Sequence, residues 1–280
     1  MKPPPFELLR PESLEEALAA LAEHGDDAKP LAGGQSLIPV LNMRLLRPSV
    51  LVDLNRIAGL DAIARENGHV RVGALVRQRA LERHLDAPAL VRGALPFVGH
   101  VVTRNRGTVC GSVAHADPAA ELPLCLVVLG GSVVVASAVG RREIAADDLF
   151  LAHFTTTLQT GELVVESRWP VLDGWGVAFE ELAQRHGDYG LSVAAAALRV
   201  EDGRVAEARV GIGSVVHRPL LVETALEGET VTSELAREIG ERVAAPLELY
   251  DNLHAPAEYQ RRLTAVLVAR AVERAWEQAA

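Results

Sequence analysis

The hydrophobic pattern switches between helical and extended spacing along the whole chain. Ala17, Leu18 and Leu21 recur on one helical face up to Gly25, and Ser13-Leu-Glu-Glu16 forms a capping box ahead of them. Short apolar runs at 28–32 and 50–54 read as strands, separated by a helical turn or two over 37–46. Residues 61–75 alternate around Asn67-Gly68, and runs at 191–200 and 205–215 flank Asp202-Gly203; both dipeptides predict hairpins. Between them the pattern predicts helices over 78–84, 87–95 and 121–129, paired strands at 132–137 and 142–144, and a strand over 162–169 ending at Pro170. Proline, aspartate and glycine break the pattern between Pro170 and Gly176, which predicts a boundary there. Helices over 233–244 and from 257 to roughly 278 close the chain. The predicted units are 1–57, 58–172 and 173–280, the last an α+β module of sheet plus a helical pair.

Two glycine-bearing stretches stand out against this pattern. Lys29-Pro-Leu-Ala-Gly-Gly-Gln-Ser-Leu37 and Asn105-Arg-Gly-Thr-Val-Cys-Gly-Ser-Val-Ala-His-Ala-Asp117 each bare backbone amides beside a hydroxyl side chain. Glycine lets a main chain approach closely, and clustered amides supply the positive potential that a pyrophosphate needs. Neither stretch has the Gly-x-Gly-x-x-Gly of a Rossmann turn or the Gly-Lys-Ser/Thr of a P-loop. The plainer alternative for the first is a strand-to-helix turn with Ser36 as an N-cap.

Composition narrows the chemistry. The 280 residues are 49% hydrophobic, 23% charged and 4% aromatic, so aliphatic and alanine packing fills an ordinary globular core. A net charge of −9 disfavours nucleic acid or an anionic membrane as partner. No apolar run reaches the ~18–20 residues of a membrane span. Met1-Lys-Pro-Pro-Pro-Phe6 lacks the apolar stretch of a signal peptide, so a cytoplasmic protein is expected. The only cysteines, Cys110 and Cys125, cannot hold an iron–sulfur cluster and are expected as buried packing. No histidine set has metal-ligand spacing, and no nucleophile–base set or carboxylate pair stands out. Bond-making chemistry by the chain's own side chains is therefore not expected.

Ala32-Gly-Gly-Gln-Ser-Leu37 with Met43-Arg44-Leu45 and Val50-Leu-Val-Asp-Leu54, the stretch from Arg104 to Glu121, and Arg185-His-Gly-Asp-Tyr-Gly-Leu-Ser-Val-Ala-Ala-Ala197 carry a resemblance. Taken in this order they resemble the medium subunits of the molybdenum hydroxylases, the group of carbon monoxide, azaarene and xanthine dehydrogenases. The resemblance implies an α+β chain: a two-subdomain α/β domain of the PCMH type that clasps FAD, then a carbon monoxide dehydrogenase flavoprotein C-terminal domain. It implies non-covalent FAD on this chain, a molybdenum cofactor on a large partner subunit, and two-iron clusters on a small one. A dimer of heterotrimers is the expected assembly, with a quinone or NAD as electron acceptor. An independent flavoenzyme and a flavin-free scaffold are the two rival readings.

The resemblance also marks residues. Leu31, Ala32, Gly33, Gly34, Gln35, Ser36 and Leu37 would form the first flavin loop, and Thr108, Val109, Cys110, Gly111 and Ser112 the second. Cys110 replaces the first glycine of a family Gly-Gly pair, and its side chain is expected to crowd the cofactor or shift the loop. Glu121 stands where relatives carry an aspartate near the ribityl or pyrophosphate region. Val98 and Leu163 match further contact positions. Glu181 falls where many relatives place a lysine near the isoalloxazine; a negative charge there would disfavour the anionic reduced flavin, unless Arg185 takes over the cationic role. Tyr189 matches the tyrosine covering one face of the ring, against a plain core or hairpin tyrosine. His115 is not expected as a base or attachment point, because the family uses neither.

Overall fold

The computed structural model describes residues 2–279; Met1 and Ala280 lie outside them. Strands β1 (Glu7–Leu9), β2 (Ala28–Leu31) and β3 (Val50–Asp53) form a parallel sheet in the order β1-β3-β2. Helix α1 (Leu14–His24) covers it, with Ala17, Leu18 and Leu21 buried in one apolar cluster with Val50 and Val52. The predicted capping box is formed in its first half, the Ser13 hydroxyl accepting from the Glu16 amide at 3.1 Å, while the Glu16 carboxylate reaches one residue further and accepts from the Glu12 amide at 2.9 Å. Helix α2 (Leu37–Asn42) stops short of 46 because Arg44 turns into the left-handed region at φ 59°.

Strands β4 (Ile63–Glu66) and β5 (His69–Gly73) meet at Asn67 and Gly68, whose φ values of 50° and 75° suit a tight hairpin. Helices α3 (Gln78–Glu82), α4 (Ala89–Ala94), α5 (Val101–Arg106), α6 (Val109–His115) and α7 (Glu121–Leu129) follow. Then come β6 (Ser132–Ser137), β7 (Gly140–Ala145), the single turn α8 (Ala146–Leu149), a small hairpin of β8 (Phe150–Ala152) and β9 (Thr155–Thr156), and β10 (Leu163–Pro170). The larger strands build an antiparallel sheet in the order β4-β5-β10-β6-β7. All nine residues of α7 are buried, eight of them apolar and the first the carboxylic Glu121.

The chain ends in an antiparallel sheet of β11 (Trp175–Ala183), β12 (Gly190–Glu201), β13 (Arg204–Gly213) and β14 (Leu220–Val222), covered by α9 (Ser233–Ala244) and α10 (Ala257–Ala279). Asp202 and Gly203, at φ 51° and 71°, make the second predicted hairpin. Strand β11 was not anticipated. Its residues 176–180 are buried in succession, because α10 packs on one face while α4 packs on the other, so no alternation betrays it.

The stretch 105–117, expected as a glycine loop, is largely helical. Thr108 is extended at φ −104° and ψ 152°, and its hydroxyl accepts from the Gly111 amide at 3.2 Å, which starts α6. Burial of Val109, Cys110 and Val113 against the core then outweighs the poor helix propensity of an internal glycine. Among the described residues, no helix is long and apolar enough to cross a membrane, and no cluster of side chains suits a metal ion.

Candidate functional site

The first glycine stretch leaves the parallel sheet at the end of β2 and runs straight onto the start of α6. Gly33 is the contact point. A Cβ there would lie 2.5 Å from the Arg106 carbonyl oxygen, 2.8 Å from Gly107 Cα and 3.0 Å from the Thr108 amide nitrogen. Gly34 follows at φ 72°, a conformation that glycine adopts without strain. The Gln35 side-chain amide folds back to donate to the Gly33 carbonyl at 3.2 Å. Among the described residues no protein acceptor takes the amides of Gly33 through Leu37, and Ser36 makes no side-chain capping bond. A run of free amides and a free hydroxyl suits an anionic oxygen cluster.

A polar relay locks the two stretches together. The Asn55 side-chain amide donates to the Ala32 carbonyl at 2.9 Å, Arg77 Nη2 donates to Asn55 Oδ1 at 2.6 Å, and Arg77 Nη1 donates to the Arg106 carbonyl at 2.6 Å. The Gln78 amide donates to the Gly107 carbonyl at 2.9 Å, and the Val109 amide to the Val76 carbonyl at 3.0 Å. Burial and then the neighbouring Arg106 draw the Arg77 guanidinium down from its ordinary value, while Asp53 opposes them. Arg106 itself is exposed and has no ion-pair partner among the described residues. Two guanidinium groups thus place positive charge beside the amide run of a chain that is acidic overall.

Cys110 does not crowd this site. Its thiol points into the core, lying 3.4 Å from both the Val72 carbonyl and Ser167 Oγ, and burial pushes it up to about 12. Ser167 also accepts from the indole of the fully buried Trp169 at 2.8 Å. Only the backbone of Cys110 is available to a ligand, as with the buried Val109, whereas Gly111 is exposed and Ser112 half-buried. Cys125 is likewise buried and free, so both cysteines are packing residues. Cys110→Gly should therefore leave ligand affinity within about twofold. It should lower unfolding free energy by about 2 kcal/mol, from lost packing and helix propensity. Denaturant melts beside a ligand titration read both quantities; tighter ligand binding without a loss of stability would contradict this placement.

Helix α6 carries the site about 10 Å onward, at 1.5 Å per residue over its seven residues. It ends at Ala116, which is left-handed at φ 52° and held by the Phe154 amide at 3.0 Å. Here Asp117 accepts from the Ala119 amide at 3.0 Å, and the Ser214 amide donates to the Pro118 carbonyl at 2.7 Å. Glu121 opens α7 from a buried position, and burial pushes its carboxyl up to about 7. Glu181, near the end of β11, is pushed up to about 9 by burial and by Glu121. At that value its carboxyl is neutral at pH 7, so the expected negative charge is absent. Arg185 is exposed on the following turn.

Tyr189, the last residue of that turn, is 65% exposed. A core tyrosine is thereby excluded, whereas a hairpin tyrosine is not, and burial with the nearby Asp117 and Glu121 raises the Tyr189 hydroxyl above the ordinary phenol value. Gly187 brings the turn against the His100 ring, where a Cβ would come within 2.6 Å. Val98 is buried, and its carbonyl accepts from Arg104 at 3.0 Å, which pins the segment before α5. Leu163 starts β10 and is buried in the cluster that also contains Leu18 and Leu21. His115 is half-buried with its ring centroid 5.0 Å from that of Phe154. The Asn55–Arg77 relay was missed in the sequence, which offers no spacing signal for it.

The site is thus elongated: amides, hydroxyls and arginines at one end, an aromatic ring and buried carboxyls at the other. That chemistry fits an extended flavin dinucleotide. Comparison with known proteins agrees. Residues 4–172 match the family described as the FAD binding domain in molybdopterin dehydrogenase, and residues 177–275 the CO dehydrogenase flavoprotein C-terminal domain. The chain is 38% identical to the 6-hydroxypseudooxynicotine dehydrogenase complex subunit alpha of Paenarthrobacter nicotinovorans, over 100% of this chain and 97% of that one. It is 35% identical to the carbon monoxide dehydrogenase medium chain of Afipia carboxidovorans, over 98% of each. The structure of a Hydrogenophaga pseudoflava carbon monoxide dehydrogenase that lacks the Mo-pyranopterin moiety superposes with a TM-score of 0.96 at 33% identity, covering 100% of both chains. The chain belongs to the FAD-binding medium subunits of the molybdenum hydroxylase family.

Proposed function

We propose that this chain holds FAD non-covalently and serves as the exit for electrons arriving from iron–sulfur clusters on a small partner subunit. The substrate would be oxidised at a molybdenum cofactor on a large partner, and a quinone or NAD would collect the electrons. A dimer of heterotrimers in the cytoplasm is the assembly this reading expects. The observation that carries the proposal is the run of amides at Gly33–Leu37 without a protein acceptor among the described residues, seated on the Arg106–Thr108 backbone, since an anionic ligand there would take up donors that the protein itself leaves open. When bound, FAD supplies the exchange between one-electron and two-electron donors and acceptors.

The chain's own residues position and insulate. Leu31 to Leu37 and Thr108 to Ser112 would grip the pyrophosphate, with Arg77 and Arg106 balancing its charge. Glu121, Glu181 and Tyr189 would line the ring end, while Val98 and Leu163 pack the walls. Units 1–57 and 58–172 would clasp the cofactor between them, and 173–280 would close the ring end through Glu181 and Tyr189. Purification from the native host should yield about one FAD per chain together with molybdenum and iron. A flavoprotein that purifies alone and turns over a substrate without either metal would overturn this reading. Anaerobic mixing of the reduced complex with NAD or a quinone then identifies the acceptor.

Tyr189→Ala should weaken FAD binding roughly tenfold, or about 1.4 kcal/mol, because one aromatic face contributes only about 0.5–1.5 kcal/mol beyond its area. Reoxidation of the reduced flavin by oxygen or an artificial quinone should accelerate as the face opens. Unchanged affinity together with unchanged reoxidation would place the ring away from the flavin.

A further inference from the structure

Three carboxyl groups converge at the ring end from separate elements: Asp117 before α7, Glu121 at its start and Glu181 on β11. Among the described residues, Arg104 is the one cation that draws the Glu121 carboxyl down, and none does so for Glu181. Arg104 of α5 is the nearest cation, and it is already committed to Glu82 at 2.9 Å and to the carbonyls of Val98 and Gly99 at 3.0 and 3.1 Å. The further titratable neighbours among the described residues are Tyr189, beside Asp117 and Glu121, His115, beside Asp117, and His100 and His186, whose rings meet at the connecting turn with centroids 6.0 Å apart. Arg185 and Asp188 of the connecting turn are exposed to water.

The three carboxyls are not equivalent. Asp117 accepts from the Ala119 amide, and Glu121 stands in the first turn of α7, whose amide end favours a carboxylate and offsets part of the effect of its burial. Glu181 has neither. It sits on a strand, its Cγ and Cδ close over Gly190 at 3.0 and 3.2 Å from where a Cβ would stand, and its Oε2 is buried without a hydrogen-bond partner among the described residues. The preceding Glu180 points to the opposite face of β11, as strand alternation requires, and pairs there with Arg274. An ionised carboxylate buried without a cation or donor is strongly disfavoured, whereas a neutral carboxyl keeps one O–H that needs an acceptor. Among the described residues no partner reaches Oε2, so a charge there would stand uncompensated.

We propose that Glu181 is a specificity-determining residue of the flavin site: a neutral carboxylic acid whose O–H donates a hydrogen bond to an acceptor oxygen or nitrogen of bound FAD. The inference rests on the FAD reading above, and it accounts for a carboxyl being tolerated beside a redox ring that takes up negative charge. Glu181→Gln keeps a neutral donor of the same length and so preserves the contact at every pH, while Glu181→Ala removes it.

Two measurements on the full chain separate this inference from the reading beneath it. Infrared difference spectra of the flavin-free protein at pH 7.5 should show a protonated carboxyl band that disappears in Glu181→Gln. FAD titrations should give a dissociation constant that is flat through neutral pH and rises about tenfold per pH unit above about 9, the value to which Glu181 is raised. Glu181→Gln should bind within about threefold of wild type at pH 7 and lose that rise, and Glu181→Ala should bind about tenfold more weakly. FAD binding without the carboxyl band, or with the same alkaline rise in Glu181→Gln, overturns the inference alone. Failure to bind FAD at any pH overturns the FAD reading and the inference with it.

Discussion

Gly33→Val should abolish FAD binding, weakening it by at least roughly 1,000-fold, or about 4 kcal/mol. The new Cβ would enter the space of the Arg106 carbonyl, Gly107 Cα and the Thr108 amide, all backbone atoms with no rotamer to yield. The two stretches would have to separate, and an anion held by the Gly33–Leu37 amides could then no longer reach the turn at Thr108. Overpacking at the contact should also cost about 1–3 kcal/mol of stability, so the variant will be folded but easier to melt. Flavin absorbance per chain after dialysis, beside a thermal melt by circular dichroism, reads both effects. A Gly33→Val protein that keeps full flavin content would show that the contact of the two stretches does not build the site.

Arg77→Met should reduce FAD affinity about 100-fold, near 2.8 kcal/mol, with the fold retained. The change removes the donors to the Arg106 carbonyl and to Asn55, each a charged hydrogen bond in the range of about 1.5–3 kcal/mol, together with the positive charge beside the amide run. Arg77→Lys keeps the charge but cannot bridge both acceptors with one planar fork, so it should fall between the two. High salt should narrow the gap between wild type and Arg77→Met, since the charge contribution is screened. Equal affinities for all three proteins would reduce the relay to a structural brace.

What could be read in advance follows a physical division. Local signals with a local mechanism were readable: the Ser13 capping box, the two hairpin dipeptides, and the α9 and α10 periodicities all lie in the sequence at fixed short spacing. Features made by tertiary packing were not. Strand β11 looks patternless because helices cover both of its faces, and α6 is a helix chiefly because Thr108 caps it while Val109, Cys110 and Val113 meet the core. The position of Cys110 in the chain suggested an obstacle, yet rotation within one helical turn sends its thiol inward. The Asn55–Arg77–Arg106 relay joins residues 22 and 29 apart, a spacing without a motif. Nor can a letter in the sequence say that Glu181 is neutral, because burial and the nearness of Glu121 decide it.

Non-covalent FAD binding is tested most directly by the visible spectrum of the purified full chain titrated with FAD, before and after denaturation. It predicts a flavoprotein spectrum saturating at about one FAD per chain, with the whole chromophore released into the filtrate by acid or heat. A chain that stays colourless and takes up no FAD, or a flavin that remains attached to the denatured polypeptide, would contradict it.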